Sequence, residues 1–197
     1  MAFVGGGKGK GQEGWEKGGG TLAGLQRGLV QVYTGEGKGK TTAAFGLALR
    51  AAGHGMKVVI VQFLKTADYG EHKALSRLAP EIRLKAFGRR GFVRRQGLEP
   101  EDYEMAREAL SFAREVMVKG EADILILDEI NVALHLGLLR EEEVLFLLEA
   151  RPPKMELVLT GRGAPERILA AADLVTEMRP LKHPFAEGVA AREGIEF

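Results

Sequence analysis

Cysteine is absent from all 197 residues. That excludes a disulfide framework, a thiolate zinc site, an iron–sulfur cluster and a cysteine nucleophile. Histidine is scarce, and four residues do not suit a His-rich metal cage. Long apolar runs are missing too. Stretches such as Ile124–Leu127 and Val144–Leu148 fall far short of the ~20 residues of a membrane span. The N-terminus has no apolar signal core, because Met1–Val4 runs straight into glycine and lysine. These absences lead to the expectation of a cytoplasmic protein. Charge of one sign is lacking as well: 28 basic against 27 acidic residues leave +1, so the whole chain is no polyelectrolyte binder.

What is present is 45% hydrophobic and 28% charged, ordinary globular usage. The length suits one domain, which buries about 70% of its unfolded surface on folding. Residues 1–28 stand apart, holding 11 of the 27 glycines with Lys8, Lys10, Lys17 and Arg27 against Glu13 and Glu16. Such a segment buries too little apolar surface to offset its ordering entropy. It reads as a flexible N-terminal segment, able to cover a site on this or a neighbouring subunit. As a nucleic-acid arm it is thin: four positive charges and Trp15 make no stacking platform.

From residue 29 onward strand and helix signals alternate. Leu29–Thr34, Lys57–Phe63, Arg83–Phe87, Asp123–Leu127, Glu156–Thr160 and Leu174–Met178 read as strands, rich in β-branched residues and bounded by glycine, proline or charge. Thr41–Ala52, Glu71–Leu78, Glu99–Lys119, Arg140–Glu149 and Pro165–Ala172 read as helices. In the longest, Met105, Ala109, Phe112 and Val116 recur at helical spacing. The pattern predicts an α/β fold: a parallel sheet flanked by helices on both faces.

The strongest chemical signal is Thr34-Gly35-Glu36-Gly37-Lys38-Gly39-Lys40-Thr41, placed after the first strand and opening the first helix. That context defines a P-loop. Glycines let backbone N–H groups turn around phosphate oxygens, and the helix N-terminus adds a favourable dipole. Lys40 supplies a point charge, Lys38 a second one, and Thr41 a hydroxyl suited to Mg²⁺. Thr34 replaces the usual first glycine. Ile124–Leu127 is an apolar strand ending in Asp128-Glu129, where P-loop proteins bring an acid to the metal. Thr160-Gly161-Arg162-Gly163 follows the next strand, and Arg162 is either a phosphate clamp or a surface arginine on a turn. Arg83, Lys85, Arg89, Arg90, Arg94 and Arg95 crowd one acid-free stretch, which is either an anion site or a solvated basic loop. Lone His183 defaults to packing or a surface role.

The wording of several segments narrows this further. Val32–Gly46, containing the P-loop, resembles the P-loop type of ATP:corrinoid adenosyltransferase. So do Gly53-His54-Gly55, Val61-Gln62-Phe63-Leu64-Lys65, Leu127-Asp128-Glu129-Ile130-Asn131, Thr160-Gly161-Arg162-Gly163, Arg179-Pro180-Leu181-Lys182-His183 and the ending Gly194-Ile195-Glu196-Phe197. The resemblance spans residues 28–197 and implies a RecA-like domain over 29–197, acting as a homodimer. It implies that Co(I) of a reduced corrinoid, such as cob(I)alamin or a cobyrinic acid derivative, attacks the 5′ carbon of ATP and releases triphosphate. The nucleotide would lie reversed relative to typical P-loop NTPases. On this resemblance Gly35, Gly37, Lys38, Gly39, Lys40, Thr41 and Thr42 hold the triphosphate, and Arg162 neutralises its tail. Thr41 and Glu129 ligate Mg²⁺, with Asp128 adjacent. Lys40, Thr41 and Glu129 carry the catalytic weight. A reductase partner would supply Co(I). The family's Gly-Phe-x-Trp loop, which the resemblance implies binds the corrinoid, corresponds to Gly91-Phe92-Val93-Arg94; Phe92 is retained, but Arg94 replaces the tryptophan, so either its guanidinium stacks on the corrin or the lower face is handled differently. Two other readings stay open on the residues alone: a different P-loop kinase or ATPase, and a noncatalytic nucleotide or nucleic-acid binding module.

Overall fold

The computed structural model describes residues 25–66, 70–89 and 95–195. The expected N-terminal cover therefore lies outside the described residues except for its last four. Six strands, β1 (Val30–Thr34), β2 (Val58–Phe63), β3 (Ile82–Phe87), β4 (Ile124–Asp128), β5 (Glu156–Thr160) and β6 (Leu174–Glu177), form one sheet. Their order is β3-β2-β4-β5-β1-β6, and every pairing is parallel. The helices are α1 (Lys40–Ala52), α2 (Gly70–Leu75), α3 (Pro100–Lys119), α4 (Ile130–His135), α5 (Glu141–Glu149) and α6 (Glu166–Ala171). The expected α/β architecture is the one observed.

Alternation along the central strands divides the apolar residues between two faces. Val59, Val61, Phe63, Leu125, Leu127, Leu157 and Leu159 pack with α3, α4 and α5 in the larger core. Val58, Ile60, Ile124, Ile126 and Val158 pack beneath α1. The buried apolar residues of that helix are small, Ala44, Ala48 and Ala51, with Phe45 and Leu47 packing at the edge of this core. Truncating a fully buried residue such as Leu125 would cost about 2–5 kcal/mol.

The alternation does not stop where the apolar residues stop. Gln62 continues the Val58–Ile60 side of β2, Asp128 the Ile124–Ile126 side of β4, and Thr160 the Val158 side of β5. The register pairs Gln62 with Asp128 and Leu127 with Leu159. Three polar side chains thus end up adjacent, all fully buried, at the C-terminal edge of the sheet and under the start of α1. This edge is where open parallel sheets bind ligands.

Most expected elements appear within one or two residues of their predicted bounds. The segment expected as one helix over Glu71–Leu78 splits into α2 and a 3₁₀ turn at Ser76–Leu78, ahead of Pro80. Helix α4 was not expected. It is only six residues long and begins directly from Glu129.

Candidate functional site: the phosphate loop and the carboxylates beneath it

The loop between β1 and α1 is held from outside by residues that follow β6. The Gly37 N–H donates to the Met178 carbonyl at 2.7 Å. A Cβ on Gly35 or Gly37 would lie 2.5 or 2.7 Å from that same oxygen, so larger residues cannot pass. Gly39 has φ +113°, a left-handed backbone that glycine adopts without strain. Thr34 is explained by its hydroxyl, which accepts the Ala164 N–H at 3.4 Å and links the loop to the Thr160–Gly163 turn. The Lys40 ammonium donates to the Gly35 and Gly37 carbonyls at 2.6 and 2.7 Å. Burial, then the nearby Arg162 charge, lowers its pKa despite the opposing acids.

Directly below lies Asp128, fully buried and saturated with donors. Its Oδ1 accepts from Thr41 Oγ1 (2.8 Å) and Thr160 Oγ1 (2.6 Å). Its Oδ2 accepts from Gln62 Nε2 (2.9 Å) and Lys65 Nζ (3.0 Å). Burial alone would raise its pKa, but the Lys65 charge and the Thr160, Gln62 and Lys65 hydrogen bonds outweigh it and hold the carboxyl below the usual range. Gln62 Oε1 in turn meets His72 Nε2. Because Gln62 gives its N–H to the carboxylate, this contact requires His72 to be the donor.

Glu129 follows with φ +64°, and Leu64, after β2, has φ +60°. Non-glycine residues in this region cost roughly 1–3 kcal/mol each and cluster at functional sites. Both turns re-aim the chain at the same edge of the sheet. The Glu129 N–H donates to Thr160 Oγ1 at 3.0 Å, and its carboxylate lies 3.9 Å from Lys65 Nζ. Burial, reinforced by the Asp128 charge, raises the Glu129 pKa.

The structure therefore brings together Lys40, Thr41, Asp128 and Glu129, as the sequence suggested. It adds Gln62, Lys65 and Thr160, which the sequence offers only as parts of motifs. Strand parity was the signal for Gln62 and Thr160. Arg162 sits at the rim, 3.2 Å from Glu36, with both side chains about two-thirds exposed. Lys38 is exposed and donates to the Ile195 carbonyl at 3.0 Å. Thr42 is exposed on the first turn of α1.

The basic stretch is less available than its composition suggested. Arg83 pairs with Glu121. Arg89 grips buried Asp102 through Nε and Nη2, which anchors the start of α3. Lys85 lies over the Phe87 and Phe112 rings. Phe92 and Arg94 lie outside the described residues.

Thr41, Asp128 and Glu129 offer hard oxygen donors, the chemistry that Mg²⁺ prefers. They form no all-protein cage, and no larger group of acidic or His ligands occurs among the described residues. That fits a metal whose remaining positions are filled by phosphate oxygens and water. No helix among the described residues is long and apolar enough to cross a membrane.

Comparison with known proteins places this geometry. Residues 26–197 match the family model described as ATP:corrinoid adenosyltransferase BtuR/CobO/CobP. The chain is 40% identical over 173 residues to a corrinoid adenosyltransferase of Pseudomonas aeruginosa, covering 87% of this chain and 85% of that protein. It is 40% identical to the Escherichia coli K12 corrinoid adenosyltransferase, covering 87% of each. It is 39% identical to the corrinoid adenosyltransferase CobA of Salmonella typhimurium, again covering 87% of each. With a P-loop closed over a buried acid at the sheet edge and a family match over residues 26–197, the chain belongs to the ATP:corrinoid adenosyltransferase family.

Proposed function

We propose that the protein transfers the 5′-deoxyadenosyl group of ATP to the Co(I) of a reduced corrinoid such as cob(I)alamin. A cobalt–carbon bond forms as the C5′–O bond to the triphosphate breaks, and both bonding electrons of the new bond come from cobalt. The observation that supports this best is family membership joined to a P-loop whose lysine, threonine and carboxylate floor is already assembled. No general base is needed, because Co(I) is itself the nucleophile. The protein's task is to hold the two substrates in line and to receive the charge that gathers on the leaving triphosphate.

In this reading Lys40 gives up its two loop carbonyls and turns to the triphosphate, where Gly35, Gly37, Lys38, Gly39, Thr41 and Thr42 line the path. Arg162 leaves Glu36 to neutralise the tail. Thr41 and Glu129 would hold Mg²⁺, with Asp128 orienting the Thr41 hydroxyl from below; bound there, the metal would offset phosphate charge. Phe92 would meet the corrin, and Arg94, lacking the bulk of tryptophan, would stack on it through its guanidinium plane. A homodimer, a cytoplasmic location and an external reductant complete the proposal.

The test is anaerobic. Protein, MgATP and chemically reduced cob(I)alamin are mixed, and the product is followed by its absorption spectrum and its sensitivity to light. A photolabile product with one triphosphate per cobalt is expected. ADP and phosphate without such a product would overturn the reading in favour of a kinase or ATPase.

A further inference from the structure

Among the described residues, Lys65 is the basic side chain that reaches the carboxylate floor from the end of β2 rather than from the phosphate loop. The left-handed turn at Leu64 folds it back over the sheet edge. Its ammonium lies 3.0 Å from Asp128 Oδ2, 3.4 Å from Thr41 Oγ1 and 3.9 Å from Glu129 Oε1, and the side chain is only 18% exposed. Those are the same three residues whose oxygens suit the divalent metal. We propose that Lys65 is a tethered cation that holds the metal's place and exchanges with it when the nucleotide arrives, then moves its charge to the triphosphate. This deepens the reading above and rests on its metal place.

The physical argument is one of shared donors. A fully buried carboxylate without a counter-cation is strongly disfavoured, so Asp128 needs a positive partner whenever the metal is absent. Lys65 supplies it. An ammonium and a divalent ion cannot both sit among these three oxygens, because at such separations their repulsion is large in any protein medium. One must leave. The lysine has a flexible four-carbon stem and three rotatable donors, so it leaves without any movement of the backbone. Thr41 also lies in the first turn of α1, and phosphates gather at such helix starts, so the displaced ammonium has a new anion within reach. Lys40 plays a different part: its ammonium rests on neutral carbonyls and competes with nothing at the carboxylates.

The exchange couples the two ligands. Metal alone must evict Lys65 with no anion to receive it, whereas metal with nucleotide brings the receiving anion along. Each should therefore strengthen the binding of the other. The site thereby resists taking up free divalent ions.

The probe is Mn²⁺, titrated into the whole protein and followed by its electron paramagnetic resonance, with and without ATP. Wild-type protein should bind Mn²⁺ weakly alone and much more tightly with ATP. Lys65→Met should bind Mn²⁺ alone at least about tenfold more tightly than wild type, and should gain less from ATP. Lys65→Arg, which keeps a cation in place, should stay close to wild type without nucleotide and guards against a folding artefact. In the wild-type protein, saturating Mn²⁺ without ATP should speed acylation of the Lys65 amine, read by mass spectrometry. Equal or weaker nucleotide-free Mn²⁺ binding by Lys65→Met, or Lys65 reactivity unmoved by metal, overturns the exchange while leaving the metal site standing. Failure of the wild type to bind Mn²⁺ even with ATP overturns both.

Discussion

The floor and the rim of the nucleotide site are built on opposite terms. On the floor, Thr41, Gln62, Lys65 and Thr160 all converge on one buried carboxylate. At the rim, Arg162 meets Glu36, Arg179 meets Glu177, and each pair is at least half exposed. Water screens the rim, so its ion pairs are worth little and re-form easily. Apart from the exchangeable Lys65, the floor is fixed before any ligand arrives: Thr41, Gln62 and Thr160 already hold the Asp128 carboxylate. Preorganised groups of that kind are the ones that lower a barrier, since they need no rearrangement as charge develops.

Mutations at the two levels should therefore differ sharply. Lys40→Ala should lose about 3–4 kcal/mol of transition-state stabilisation, measured as kcat/KM for ATP; turnover at the wild-type rate would detach the phosphate loop from the reaction. Asp128→Asn should lower folding stability by about 3 kcal/mol in a denaturant titration, because an amide nitrogen would face the Gln62 or Lys65 donors. An unchanged midpoint would mean the network is not rigid. Glu129→Gln should shift the Mg²⁺ titration of activity by about tenfold, and an unmoved curve would remove this residue as a ligand. Phe92→Ala should raise KM for cobalamin several-fold, on the scale of about 1 kcal/mol for a lost aromatic contact, while ATP affinity stays intact. A selective loss of ATP binding would place that segment on the nucleotide side. Arg162→Ala should cost less than about 1 kcal/mol in ATP affinity if the rim behaves as an exposed pair. A larger loss would erase the distinction drawn here.

Acid sharpens the same contrast. The folded pKa of Asp128 lies below its unfolded value of about 3.9. Its stabilisation is therefore complete above the unfolded value and is lost as pH falls through the folded one. Glu129 works in the opposite sense. Its folded pKa is raised, so its ionisation costs stability above that value, and the cost vanishes as pH falls to the unfolded value. Asp128→Asn should flatten the acid limb of the stability profile.

The sequence carried the phosphate loop and the acidic end of β4 because each depends on neighbouring residues. It carried the strand-and-helix alternation for the same reason. What it did not carry depends on strand order. Gln62 and Thr160 join Asp128 only because β2 and β5 flank β4, and that pairing is set by packing of the whole sheet. Lys65 depends further on the backbone turn at Leu64, a residue type with no preference for positive φ. Helix α4 escaped because six residues, with Asn131 and Val132 among them, have no clear period and modest helix propensity. The basic stretch over-promised because Glu121 and Asp102, which neutralise Arg83 and Arg89, lie outside it in sequence.

The strand order also has a consequence during synthesis. Among the described strands, β1 is the first to leave the ribosome and pairs only with β5 and β6, the last two. The loop that follows it leans on Met178, more distant still. A nascent chain can assemble β2, β3 and β4 while the glycines of its phosphate loop still lack the Met178 carbonyl that holds them. Nucleotide binding is then the last property acquired by the growing polypeptide. A chain released before Met178 is translated should have much of its sheet and none of its affinity for ATP.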